Sequence, residues 1–486
     1  MKRSYLHFRR FLLFSIFYMA GAVHVAFAQI PADTAFVFTQ TDYLSWVKDR
    51  HPAARQALLL LQQAENAELA ARGGFDPKLY SDIQQKSFDG KTYYTISESG
   101  VKIPTWYGLE LKGAYLSAGG INLNPEGKLP DAGQAVLGIN ATLLRGLLID
   151  ERRAALQQAK LMAAMNDAQR RQILNDLLLD AATTYWNWVA AYNEMRILEQ
   201  ALQIAQNRQR GIVESFLQGD KPAVDSLEAF IQIQTRQYEL SDARLAYRNA
   251  TLQLSNFTWD DSGNPLALSN NWRPPTAAEL PSGMPLPPLD ELQTQLAQRH
   301  PALRLYETKI AQLDISRRLA AEQLKPQLDV SYNLLGDGAR FGAYRKDDSS
   351  DLQNLLLQNY KWQVTFGFPL LLRKERGKLE EVKVKIADAG LGLQQKQLEL
   401  RNKLESYFND VQNAQQQIAL YNEMTANYQR LLDAELRKFD LGESSIFLIN
   451  TREQKLIEAQ LKLAKLKTTL PKLRLGVDWA AGGDML

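Results

Sequence analysis

The sequence predicts a mainly helical chain with a minority of membrane β-structure, running twice through one plan. Three observations predict it. "DRHPAARQ" and "QRHPALRL" open matching segments: His51-Pro52 and His300-Pro301 lie 249 residues apart, and so do Pro77 and Pro326. Helical stretches of about 65 residues, longer than a globular core accommodates, recur once per copy. Between them lie short segments whose apolar residues alternate with period two.

The elements follow in chain order. "MKRSYLHFRR" is basic, "FLLFSIFYMAGAV" apolar, and Ala26-Phe27-Ala28 has the small-residue spacing of a cleavage site. Residues 1–28 are therefore predicted to be a signal peptide cut after Ala28. Beyond Ala28 no uninterrupted apolar run reaches helical spanning length, so a membrane crossing falls to strands. A first repeat is predicted over 29–256: a helix at about 51–74, strands within about 78–147, a long helix at about 151–218 and a return helix at about 223–256. A Pro/Gly-rich connector, 257–287, leads to a second repeat over 288–470. It has strands within about 327–371, a long helix at about 375–440 and a return helix at about 445–468, before a tail at 471–486.

In "QLDVSYNL", Leu328, Val330, Tyr332 and Leu334 point one way and Gln327, Asp329, Ser331 and Asn333 the other. "WQVTFGFP" and "VLGINATLL" alternate likewise. A sandwich strand shows the same pattern. The few strands, the long helices and the export signal favour a membrane barrel with its apolar face to lipid. Trp106, Tyr107, Tyr360 and Trp362 are girdle candidates at the membrane edges.

The long helices carry apolar residues stepping by four and three, the spacing of a coiled-coil seam. They are Leu174, Leu178, Ala181, Tyr185, Trp188, Tyr192 and Met195, matched by Leu400, Leu404, Tyr407, Val411, Ala414, Ile418 and Tyr421. Each rod ends with glycine three residues after phenylalanine, Phe216/Gly219 and Phe439/Gly442, which predicts a left-handed helix stop and a tight hairpin. Pro222 suits the first turn of one return helix, and Ser444 is positioned to cap the other. Early and return helices laid end to end match one rod in length, giving four columns per chain.

Bulk properties narrow the function classes. A net charge of +3 gives no reason to invoke nucleic acid, and a chain without cysteine has no disulfide or thiolate site. His51 and His300 are the only histidines after residue 28, which leaves little for a metal centre or a nucleophile–base relay. No cofactor, metal or enzymatic activity is expected. A periplasmic or surface coiled-coil scaffold without a pore explains the rods and tips but not the alternating strands.

The signal peptide, the doubled strand–rod–tip plan, the tip spacing Gly219, Asp225, Leu227, Ala229 and the stretch "NTREQKLIEAQ" together resemble the TolC family of outer-membrane efflux proteins. The resemblance implies a homotrimer in the Gram-negative outer membrane, reaching into the periplasm. In it, each chain gives four strands to a twelve-stranded barrel and its helices to a tunnel. It also implies a passive exit duct for an inner-membrane transporter and a periplasmic adaptor, docked and gated at the tips. Phe216, Gly219, Asp225, Leu227, Glu228, Ala229, Phe439, Gly442, Ser444, Leu448 and Thr451 match that tip region. The family often has acidic residues where Leu448 and Thr451 stand, whereas Asp225 and Glu228 occupy those offsets in the first tip, leaving open whether an acidic ring exists. Thr142, Arg145, Gly146, Pro369 and Arg373 mark the strand–helix junctions. The "DERR" (150–153) and "RKER" (373–376) clusters are expected in solvent just below the membrane.

Overall fold

The computed structural model describes residues 36–268, 271–280, 285–341, 356 and 358–483, so the expected cleavage site at Ala28 lies outside the described residues. The chain opens with β1 (Phe36–Val37), α1 (Gln40–Arg50) and α2 (Pro52–Arg72). The strands β2 (Lys78–Phe88), β3 (Lys91–Pro104), β4 (Leu109–Gly119) and β5 (Gln134–Thr142) follow, then α3 (Glu151–Leu217) and α4 (Ala223–Ser255). Next come β6 (Trp272–Arg273), α5 (Leu289–Arg299), α6 (Pro301–Glu322), β7 (Gln327–Leu335), β8 (Tyr360–Gly367), α7 (Arg373–Asp440) and α8 (Ile446–Ala480).

The repeated His-Pro pair makes a corner between two helices. His51 ends α1 and caps α2, its Nδ1 accepting the Ala53 N–H at 3.1 Å; His300 does the same for α6, accepting from Ala302 at 3.2 Å. The imidazole satisfies one orphan amide of the new helix, and the proline after it has none to satisfy.

With 67 residues, α3 is a rod of about 100 Å. One flank is lined by α2 and α4 end to end; on the other, α6 and α8 separate α3 from α7. The chain is thus a layer of four columns. Its largest core lies at mid-length, where one cluster runs from Leu178, Ala181, Tyr185, Trp188 and Val189 of α3, with α1 and the connector, through Leu470 and Val477 of α8 to Leu400, Leu404 and Val411 of α7. Tyr185 donates its hydroxyl to the Phe38 carbonyl at 2.7 Å, and the Trp188 Nε1–H reaches Thr251 at 3.0 Å, so both of these α3 donors are satisfied, whereas the Tyr43 hydroxyl packed beside Tyr185 is buried without a partner.

Several expectations are revised. Where the resemblance implies four strands, the sheet has six, in the antiparallel order β2-β3-β4-β5-β7-β8. The aromatic-rich stretch 92–116 folds into two strands around the "TWYG" turn, and Gly100 lets β4 approach, since a Cβ there would lie 2.4 Å from the Gly113 carbonyl oxygen. The return helix α8 runs through Pro471 to Ala480 instead of ending near 468. Burial of Val477, Trp479 and Ala480, and the bond from Trp479 Nε1 to Asp176 at 2.7 Å, outweigh the one backbone bond proline removes. Pro222 stands at the N-cap of α4, just before its first turn. Ser445, not Ser444, caps α8.

Candidate functional site

The sheet is two-faced. Ile103, Leu111, Ile139, Tyr332 and Trp362 form one row across β3 to β8, and the next row, Lys102, Lys112, Gly138, Asn333 and Lys361, points the other way. The sheet is curled, and its apolar face is open, with Trp362 at 62% and Phe366 at 66% exposure, while the polar row lies on the other face. There Lys112 meets Glu98 at 2.6 Å, and the Tyr80 hydroxyl donates to the same carboxylate at 2.5 Å. A wall with an apolar outside and a charged, internally paired inside suits lipid on one face and water on the other. Trp106 and Tyr107 lie in the β3–β4 turn at the helix end of the sheet, Trp106 stacked on Phe75 at 4.1 Å. Tyr360 and Trp362 lie toward the far end, Tyr360 stacked on Tyr332 at 5.7 Å.

At the first junction the Thr142 hydroxyl donates to Asp329 at 2.8 Å, and the Arg145 amide bonds the Pro326 carbonyl at 3.0 Å, fastening the first repeat to the second. Gly146 adopts φ +91°, and the chain then turns into α3 at the cap residue Asp150. Arg153 folds back onto the Gly146 and Leu147 carbonyls, and Arg152 reaches Glu110 at 3.8 Å. Asp150 and Arg153 of the "DERR" cluster therefore hold the turn, while Glu151 and Arg152 stay exposed. Pro369 stands two residues past the end of β8, after Phe368; Leu372 at φ +47° and Arg373 then start α7.

The two tips share one geometry. Gly219 (φ +85°) and Gly442 (φ +77°) end their helices with the same pair of bonds: Asp220 N–H to Ser215 O and Gly219 N–H to Phe216 O, against Glu443 N–H to Lys438 O and Gly442 N–H to Phe439 O. Phe216 and Leu227 are exposed, whereas Ala229 is buried with Ile212 and Ile446 against Phe439. Asp225 lies in the first turn of α4, and the Lys221 ammonium sits 4.1 Å over the Phe439 ring, joining one tip to the other. Ser444 donates to Glu435 at 2.6 Å; this bond, helped by Arg452, holds that carboxyl below its usual range. Leu448 is exposed, and Thr451 bonds its own helix at Phe447.

A polar network just above the tips escaped sequence reasoning. Arg208 of α3 grips the buried carboxylate of Glu453 on α8 at 2.6 and 3.0 Å. Asn450 accepts from Arg208 and donates to Glu228, so Glu228 is engaged by α8. Fully buried Arg236 spans Glu239 and Gln454, both at 2.6 Å. The one available signal was charge at seam spacing on helices otherwise apolar there.

The family model for outer membrane efflux proteins matches residues 117–258 and 292–480, most of both halves. The chain belongs to the outer membrane efflux protein family. The two matched segments fall on the two copies of the strand–rod–tip plan. No curated protein matches by sequence. Among solved structures, the CmeC outer membrane channel of Campylobacter jejuni aligns at 14% identity and TM-score 0.61, covering 92% of this chain and 86% of that one. VceC of Vibrio cholerae aligns at 13% identity and TM-score 0.62 (92% and 97%), and the open state of the Neisseria gonorrhoeae MtrE channel at 12% and 0.63 (92% and 89%). These likenesses establish the fold. Membership establishes an outer-membrane efflux channel extending into the periplasm, a class of ducts and not of enzymes. Among the described residues no helix is long and apolar enough to cross a membrane.

Proposed function

We propose that three copies close into one duct whose tips receive a periplasmic adaptor and an inner-membrane transporter. One observation carries the reading: the helical layer and the sheet both end unpartnered on the same two sides. At one side α4 exposes Ile231, Tyr238, Leu245 and Leu252, each seven residues from the next; at the other, α7 exposes Val384, Leu391 and Leu398 at the same spacing. Apolar heptad stripes are what neighbouring helices bury in a coiled coil. Among the described residues, strands β2 and β8 have free edges on those two sides.

Residues 29–256 and 288–470 act in this reading as repeats joined by 257–287, exported by cleavage after Ala28. Trp106, Tyr107, Tyr360 and Trp362 anchor the barrel in lipid, and Thr142, Arg145, Gly146, Pro369 and Arg373 turn strand into helix. The tip residues around Gly219 and Gly442 dock the adaptor and form the gate. Arg208–Glu453 binds the two hairpins of one chain, so gating motion is concentrated between chains.

The experiment is the Gly219→Val/Gly442→Val double variant. Nothing lies within 4 Å of a Cβ added at either position, so the cost is backbone strain alone, about 1–2 kcal/mol each. Heat-modifiable trimers are expected in the outer-membrane fraction, with export abolished. Unimpaired export would refute tip docking, and recovery of wild-type protein as a detergent-free soluble rod would refute the duct.

A further inference from the structure

The geometry points to a membrane wall of eighteen strands, closed by pairing β8 of each protomer with β2 of the next. The inference rests on the trimeric reading above and adds to it the size and seam of the barrel. The β2–β3 hairpin is what enlarges the wall. It is no detached flap: β3 pairs with β4 without a register break from Pro104/Glu110 to Thr95/Gly119, and β2 pairs with β3 in turn.

The register itself shows that all six strands share one tilt. Gln327 at the foot of β7 pairs with Gly367 of β8, and Thr142, the foot of β5, pairs with Asp329, two residues up β7. Leu109 pairs with Ala141, one residue up β5, and Pro104 with Glu110, one residue up β4. Lys78, the foot of β2, pairs with Lys102, two residues up β3. The feet thus climb six residues over five steps. At about 3.3 Å per residue and about 4.8 Å between strands, that is a slope of about 40°, inside the range of closed membrane barrels. The climb continues in the same direction through β3 and β2, three residues in two steps after three in the first three, as required if all six feet sit at one membrane level.

The faces agree. Leu79, Val101 and Ile103 continue the apolar outer face, and Tyr80, Glu98 and Lys102 continue the polar inner one. Outward serines are paired across strands, Ser81 with Ser99 at 2.7 Å and Ser97 with Ser117 at 2.8 Å. The free edges are mutually suited: β2 runs away from the helices and β8 toward them, so β8 of one copy meets β2 of the next antiparallel.

Size follows from strand number. At this tilt eighteen strands give a backbone radius of about 18 Å, against about 12 Å for twelve. Twelve helical columns spaced about 10 Å apart form a ring of radius about 19 Å. Barrel and tunnel then join at one width, and the narrowest passage falls to the tips.

The chain has no cysteine, so an engineered pair reports alone. Full-length Ser81→Cys combined with Phe366→Cys or with Val364→Cys, purified from outer membranes and oxidised with copper phenanthroline, is expected to give disulfide-linked dimers and trimers on denaturing gels. Leu111→Cys with Phe366→Cys, the pair that would touch if β4 were the wall's edge, is expected to stay monomeric. A ladder from the Leu111 pair and none from the Ser81 pairs overturns the eighteen-strand wall. No ladder from any pair in protein that sediments as a trimer overturns it as well. Sedimentation of the wild type as a monomer would instead sink the trimeric reading beneath it.

Discussion

Protonating His300 should loosen the second His-Pro corner in mild acid. The side chain is 2% exposed, and its Nδ1 is occupied as acceptor for the Ala302 amide. The ring meets Trp479 edge-on at 5.8 Å, and the backbone of Gly482 crosses against it. Burial, and secondarily the charge of Lys396, lowers its pKa from 6.5 to about 4; Asp176 opposes with a smaller effect. The folded chain therefore binds this proton less readily than the unfolded one. Its contribution to stability is complete above pH 6.5, declines as the pH falls toward 4, and is gone below that. The full term is about 3 kcal/mol, of which about 2 is lost by pH 5. His300→Asn keeps a capping oxygen and removes the titration. Hydrogen exchange of the first turns of α6, in detergent at pH 7 and pH 5 and corrected for intrinsic rates, reads the difference. The wild type should lose about thirtyfold more protection than the variant. Equal loss in both would refute the assignment.

Three further outcomes are expected. Gly482→Val places a Cβ 2.6 Å from the His300 Cα at φ +75°, and should cost at least about 2 kcal/mol, read as a lowered thermal midpoint in circular dichroism. Leu137→Arg, on the outer face of β5, should destabilise by about 2–4 kcal/mol in urea titrations of the liposome-embedded protein, whereas Gln363→Arg on the inner face should change stability little. Glu453→Gln leaves the Arg208 guanidinium with no carboxylate partner in a mostly buried place, a loss on the scale of about 3 kcal/mol. It should raise the resting single-channel conductance, and an unchanged conductance would remove Arg208–Glu453 from the closure of the mouth.

Much of the architecture was legible because its signals are periodic and local. Seam residues such as Leu178, Tyr185, Leu400 and Val411 repeat at helical spacing over many turns, and all four are buried. Gly219 and Gly442 declare helix ends because only a residue without a side chain takes positive φ without strain. The strand count was less legible. Between residues 78 and 119 the outer face mixes leucine and isoleucine with serine, so alternation fades, and only pairing against β4 turns the segment into wall. Ser445 took the cap that Ser444 was expected to make because the capping position depends on where the turn leaves the chain, within one residue. The partner of Ser444, Glu435, lies a full turn back on the other helix.

The sequence by itself determined the doubling, the rods, the hairpin tips and the two-faced strands, since each follows from a repeat that neighbouring residues carry along the chain. Only the tertiary structure decided that six strands share one register, that α8 continues through Pro471, and that Arg208, Asn450 and Glu453 converge above the tips. Those outcomes depend on contacts between residues hundreds of positions apart. Local preference is indifferent among the alternatives there, and burial and hydrogen-bond pairing choose.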